Sequence, residues 1–307
     1  MAASSPSDDL LVITSASGQQ ATHLLRFLPS SLRLRLIVNS ASSLTRLRQT
    51  YSDAEVLIGD LASRSFCTEV VRDATAIYHI GPPFHPSETA MGLNLISAAA
   101  FERRACGDHL RHFIYSSAIH PLIRKMLHHD CKRHVEEALI ESGLPFTILQ
   151  PTHFMDMIPV VMMAKEGGDQ VIFPAKWDPA VEFSFLALRD LGEVGARIVQ
   201  EEKKHYFATY ELCGTGPVSY EEVCKIIGEV IGKEVVIEQA GYEEAVNGFP
   251  ENKYGDQVTD SYTRDAVERM LLYYRRRGVV GSPNVMGWLL GRKPLGIAEW
   301  VKEQTRK

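Results

Sequence analysis

The chain has 307 residues, 45% of them apolar, which is enough to bury one large core with an appended lobe, or two modest domains. Its formal charge of −5 is spread along the sequence with no basic run, which sets nucleic acid and anionic membrane aside as partners. No apolar run approaches the roughly 20 residues of a membrane span, and Met1 to Asp9 lacks the regions of a secretory signal, so a cytoplasmic protein is expected.

Residues 10–13 are an unbroken apolar run suited to a buried parallel strand. The small residues that follow turn the chain into a helical pattern that ends by Pro29. A strand, a tight turn and a helix whose N-terminus points back at the strand is how a dinucleotide pyrophosphate is held. The usual fingerprint has three glycines at this turn, and here Ser15, Gly18 and Ala21 occupy those places. An ordinary strand-to-helix connection is therefore the competing reading.

Residues 32–38, 56–60 and 76–80 read as the second, third and fourth strands, with helical spacing between them at 44–49 and 65–72. A long helical pattern over 87–104 leads to a strand at 113–116. A helix over 128–142, stopped by Gly143, leads to a strand at 146–149. Strands separated by helices of this length pair in parallel through right-handed crossovers, which makes a doubly wound α/β sheet.

Past Pro151 a Met-rich segment (155–163), the Gly167-Gly168 pair and short strands near Val171 and Phe183 break the alternation. The expected division is a Rossmann domain over 1–151 and a smaller substrate lobe over 152–307, with elements returning to the main sheet. Residues 210–213 are a candidate returning strand. Asp190 with Glu193, and Ser219 with Glu222, have the spacing of capping boxes. After Ser219, Val223, Ile226, Ile227, Val230 and Ile231 make an apolar stripe ended by Gly232. Helices are expected over 263–277 and around Trp300. Five cysteines, an odd number with no Cys-x-x-Cys pair, point to free buried thiols rather than disulfides or a zinc site.

Several of these segments together resemble the NmrA-like family of atypical short-chain dehydrogenase/reductases. They are the serine-rich turn, Gly59-Asp60-Leu61, residues 112–117, 128–137, 142–155 and 189–193, and the stretch 291–300. The resemblance spans nearly the whole chain and implies a Rossmann domain with a small C-terminal substrate lobe, NADP more often than NAD, and either reduction or nucleotide sensing. It also implies a small-molecule substrate, a secondary-metabolite tailoring role and a monomer or homodimer.

By the same resemblance, Ser15, Ser17, Gly18, Gln19 and Gln20 form the phosphate turn, while Asp60, Leu61 and Gly81 line the adenosine side. Pro151, Thr152 and His153 lie near the nicotinamide. Family members often carry an arginine just after strand two that meets the NADP 2′-phosphate. This chain has Asn39 there, and Arg46 two turns into the next helix either reaches the phosphate or lies on a solvated helix face.

Where the wider superfamily has Tyr-x-x-x-Lys, this chain has His128-x-x-x-Lys132. A spacing of four keeps both side chains on one helix face, so Lys132 can grip ribose hydroxyls while His128 faces substrate. A neutral imidazole beside an ammonium is a weak acid but a usable donor to a developing oxyanion. The competing reading is a helix N-terminus with a Lys132–Glu136 surface pair. Ser117, next to Ser116 at the end of the fifth strand, stands where the superfamily keeps its substrate-orienting serine. Two serines there also suit a plain turn. The histidines between 109 and 134 lack a shared register and a second cluster, so a metal is not expected. His79 and His85 read as incidental histidines of a packed loop.

The expected activity is NAD(P)H-dependent oxidoreduction of a small aromatic or polyketide-like metabolite. The alternatives are a nucleotide-sensing protein without turnover, and a non-redox isomerase, dehydratase or cyclase.

Overall fold

The computed structural model describes residues 9–249 and 261–306. Its first half alternates without interruption: β1 (Leu10–Ile13), α1 (Gln19–Leu25), β2 (Arg33–Val38), α2 (Ala41–Thr50), β3 (Glu55–Ile58), α3 (Arg64–Val71), β4 (Ala76–Ile80), α4 (Glu88–Ala105), β5 (His112–Ser116), α5 (Leu127–Glu141) and β6 (Phe146–Pro151). Then follow β7 (His153–Phe154), α6 (Val160–Lys165), β8 (Gln170–Ala175), β9 (Glu182–Phe183), β10 (Phe185–Leu186), α7 (Leu188–Glu201) and β11 (Ala208–Leu212). The remainder is β12 (Val218–Ser219), α8 (Tyr220–Ile231), β13 (Glu234–Gln239), α9 (Tyr242–Asn247), α10 (Ser261–Tyr274), α11 (Asn284–Leu290) and α12 (Ile297–Thr305).

Seven strands form the main sheet in the order β11-β6-β5-β4-β1-β2-β3. The pairs from β3 across to β6 are parallel. The chain runs outward one way from β1 and then restarts at β4 on its other side. A crevice opens between such strands at their carboxyl ends, and open α/β sheets bind ligands there. Every residue of β1, β4, β5 and β6 is buried, because helices cover both faces of a parallel sheet and leave no polar side. Residues 208–212 do return as a strand, edge-on to β6.

The chain divides into two compact units. The first comprises described residues 9–122, 129–150 and 191–210, and holds the sheet core of Val12, Ile77, Leu95, Phe113, Tyr115, Val135 and Ile148. Within it α4 and α5 approach closely because Gly92 has no side chain. A β-carbon there would stand 2.6 Å from Cγ2 of Val135.

The second unit comprises residues 123–128, 151–190 and the described part of 211–307, and it contains three two-stranded sheets, β7–β10, β9–β12 and β8–β13. Ser219 caps α8 as expected, accepting from the Glu222 amide at 3.1 Å. Asp190 does not cap a helix. It lies inside α7, fully buried, and accepts from Arg292 Nη2 at 2.8 Å and from the Leu295 amide at 2.7 Å, which anchors the segment leading to α12. Cys67, Cys131, Cys213 and Cys224 are buried free thiols, whereas Cys106 is exposed.

Candidate functional site

The turn after β1 is pinned at the switch point. Thr14 and Ser15 both donate their hydroxyls to the Ile80 carbonyl, at 3.1 and 2.8 Å, and the Ile80 amide donates to Thr14 Oγ1 at 2.8 Å. Thr14 has spent its single hydroxyl proton, so His79 Nδ1, 2.9 Å away, is the donor in that contact. Burial first, and then the Lys132 charge, lower the His79 pKa to about 3. His79 is thus a strand residue stacked on Tyr115, not part of a loop.

Ser15 adopts a left-handed backbone with φ of 48°, the conformation for which glycine is the usual residue. Its hydroxyl proton is committed to the Ile80 carbonyl. Ala21 is fully buried inside α1 and helps to pack it. Gly18 precedes α1 with no side-chain cap, and Ser17 and Gln19 lie on the open side of the same turn. Arg46 reaches back from α2 and donates to the Ser17 carbonyl at 3.2 Å, so its cation stands at the turn and not on a remote helix face. Asn39 is exposed at the end of β2, and the neighbouring Ser40 hydroxyl caps α2. Asp60 accepts from the Ala62 amide at 2.8 Å, and Leu61 is buried with its carbonyl taking a bond from Asn94 at 3.2 Å.

On the other side of the switch point, Ser116 at the end of β5 donates to Gln20 Oε1 at 2.7 Å, tying strand and helix together. Behind it lies a buried charge network. Lys132 is 6% exposed and its ammonium pairs with the Glu88 carboxylate, itself 1% exposed. The Cys131 thiol donates to the second Glu88 oxygen at 3.4 Å. Burial opposes the Lys132 charge, yet Glu88 and Glu136 outweigh it, and the ammonium pKa is raised.

Glu136 is buried too and accepts from Gln150 Nε2 at 3.0 Å on each oxygen, so the surface pair considered above does not form. Burial raises the Glu136 pKa, against the Ser117 hydroxyl, Gln150 and Lys132. Ser117 is buried beside Glu136 and Tyr115. Tyr115 itself is pushed well above the ordinary phenol value, by burial first and then by Glu88. His128 is buried one helical turn before Lys132 on α5, in the second unit.

Pro151 ends β6 and is buried. Both donors of Thr152 are taken up within the protein, its amide by the Leu212 carbonyl at 3.1 Å and its hydroxyl by the Ser184 carbonyl at 3.0 Å. His153 belongs to an aromatic cluster of the second unit. Its Nε2 bonds the Tyr220 hydroxyl at 2.8 Å, its ring lies 5.4 Å from those of Trp177 and Phe185, and burial lowers its pKa to about 4.

Sequence reasoning missed Glu88 and misjudged Glu136. The available signals were an acid opening a helix that carries no other charge before Glu102, just after Gly81-Pro82-Pro83, and an acid at the fourth position after Lys132. Among the described residues no three His, Cys, Asp or Glu side chains stand where they would share a metal. No described helix is long and apolar enough to cross a membrane.

Strand order, switch point and small-residue turn define a protein of the doubly wound Rossmann class. The family model described as the NmrA-like family matches residues 7–265, and the chain belongs to that family. No curated protein sequence matches it.

Solved structures share the fold. The triphenylmethane reductase of Citrobacter sp. complexed with NADP(H) is 19% identical with a TM-score of 0.74, over 96% of this chain and 99% of that one. The NADPH-dependent quinone oxidoreductase of Escherichia coli complexed with NADPH is 16% identical with a TM-score of 0.73, over 95% and 99%. NmrA, a negative transcriptional regulator, in complex with NADP, is 18% identical with a TM-score of 0.73, over 96% and 94%.

Proposed function

We propose that this chain is an NADP(H)-dependent oxidoreductase that reduces a small, conjugated, electron-poor acceptor, as in a tailoring step on an aromatic or polyketide-like metabolite. The observation that carries the reading is the convergence at the switch point of the uncapped Gly18 turn, the Arg46 cation on the Ser17 carbonyl and the Ser116–Gln20 bridge. These residues fit a dinucleotide. Residues 14–18 of the turn are all small, which suits close approach to pyrophosphate, and an arginine beside them suits a 2′-phosphate. When bound, NADPH supplies the hydride.

The substrate class follows from which acids are missing. The superfamily tyrosine is replaced by His128, and Tyr115 is buried with its proton held tightly. A quinone-like acceptor delocalises the arriving electron pair over its own ring and takes its proton from water afterwards, so it needs no strong acid from the protein. In this reading Lys132 clamps the nicotinamide ribose, and Ser117 and His128 orient the acceptor. The likeness to the triphenylmethane and quinone reductases points the same way.

The test is oxidation of NADPH by the purified chain with a panel of naphthoquinones and a cationic triphenylmethane dye, beside nucleotide binding by fluorescence titration. Saturable binding with turnover of any acceptor supports the reductase. A second reading, nucleotide sensing without turnover, is favoured by the commitment of Lys132 to Glu88. Tight binding with no acceptor reduced would select it, and no binding would defeat both.

A further inference from the structure

We propose that Glu88 is a positioning residue for nucleotide binding, holding the Lys132 ammonium so that its remaining donors meet the hydroxyls of the nicotinamide ribose. The inference rests on the NADP reading above and adds a residue that no motif of the chain pointed to.

Three observations carry it. First, Glu88 is brought to Lys132 by two glycines. Gly92 lets α4 and α5 close on one another, and Gly81, just past β4, leaves the space that the carboxylate fills. A β-carbon on Gly81 would stand 2.7 Å from Glu88 Oε1. The ion pair is therefore built against the loop that leaves the switch point. Second, the hydrogen bonding leaves capacity where a ligand needs it. Glu88 Oε1 takes one ammonium donor and Oε2 takes the Cys131 thiol, so the carboxylate is satisfied while an ammonium with three donors has others to offer. A lysine has a flexible four-carbon stem, and one whose head is already tethered has less to order when ribose arrives. Third, the Lys132 charge is felt at the switch point, where it helps to keep His79 neutral beside Thr14.

A buried ion pair with only an architectural role is commonly replaceable by apolar residues with little loss. Placing one at the ligand-binding end of a parallel sheet is a different matter.

The experiment measures, by titration calorimetry, the binding of NADPH and of adenosine 2′,5′-bisphosphate, which lacks the nicotinamide ribose. The proteins are the parent chain, Glu88→Gln, Lys132→Met and the double variant. Glu88→Gln is expected to weaken NADPH about tenfold while leaving the bisphosphate within about twofold, and to add nothing in the Lys132→Met background. The bisphosphate arm separates positioning from misfolding, which would weaken both ligands together. Should Glu88→Gln not fold, Gly81→Ala perturbs the same carboxylate with the charges kept, and the same selective loss is expected. Equal loss of both ligands, unchanged affinity for both, or a Glu88→Gln effect that persists without Lys132 overturns the proposal. A parent chain that binds neither ligand overturns the NADP reading itself, and one that binds both while Glu88→Gln alone binds equally well overturns only the role of Glu88.

Discussion

Ser116 Oγ donates to Gln20 Oε1 at 2.7 Å, a bond between residues 96 apart in sequence that joins the carboxyl end of β5 to the first turn of α1. It orients the Gln20 side chain at the head of α1. Ser116→Ala is expected to cost about 1 kcal/mol of unfolding free energy, the net worth of one such bond, and to weaken NADPH binding severalfold by freeing Gln20. A double-mutant cycle with Gln20→Ala, followed by urea unfolding, should return a coupling of similar size. Strictly additive single effects would show that the bond contributes nothing.

Ser15 combines a left-handed backbone with a hydrogen bond to Ile80. The two effects oppose each other on substitution. Ser15→Gly relieves about 1 kcal/mol of strain and loses about as much hydrogen bonding, so its stability should stay near that of the parent. Ser15→Ala keeps the strain and loses the bond, and should be less stable by about 1 kcal/mol. Ala21→Gly, within a helix and fully buried, should also cost about 1 kcal/mol, so restoring both glycines is not a benign change. Thermal unfolding of the three variants gives the order directly.

Arg46 stands at the turn after β1 through its bond to the Ser17 carbonyl. Arg46→Ala should lower NADPH affinity about tenfold and leave NADH unaffected, since charge-assisted contacts to a 2′-phosphate exist only with the former. Parallel titrations with both nucleotides check it. An equal loss for the two would mean that the guanidinium organises the turn without reading the phosphate.

His79 and His112 are buried with pKa values lowered to about 3 from an ordinary 6.5, and His129 to about 4, in each case chiefly by burial. A histidine held neutral in the folded state lets the unfolded chain bind more protons below pH 6.5. Its stabilising contribution is complete above that value and is lost as pH falls from 6.5 toward 3 to 4. Urea midpoints should therefore decline from about pH 6.5 downward, well before most carboxylates titrate. His112→Gln should flatten the slope between pH 6 and 4 by roughly 1 kcal/mol per unit. A midpoint constant to about pH 4.5 would contradict buried neutral histidines.

Asp190 is fully buried and holds Arg292 and the Leu295 amide. Asp190→Ala should cost about 2 kcal/mol, because a half-buried amide loses its acceptor and the partly exposed guanidinium loses a charged one. Hydrogen exchange should localise the damage to residues 290–306. Loss of protection spread evenly over the chain would assign Asp190 a different role.

The doubly wound fold was legible in the sequence because it rests on local signals. Apolar runs at 10–13, 76–80 and 113–116 separated by helical patterns permit few arrangements, and parallel pairing with right-handed crossover selects among them. The strand returning near residue 210 was legible for the same reason. The site was legible only as positions along the chain. That Lys132 sits on α5 four residues from His128 follows from spacing, but its partner follows from packing. Glu88 lies 44 residues away and reaches Lys132 because Gly81 and Gly92 leave room, which no periodicity reports.

Likewise, whether a hydroxyl in the Thr14 to Ser17 turn faces a ligand or a strand carbonyl depends on where β4 ends beside β1. The spacing that made Asp190 look like a helix cap was undone by a segment more than a hundred residues later. Sequence thus determined which elements form and in what order, since propensity and periodicity act over a few residues. Tertiary structure alone decided which buried polar groups satisfy one another, because a buried charge takes whatever partner the packing brings within reach.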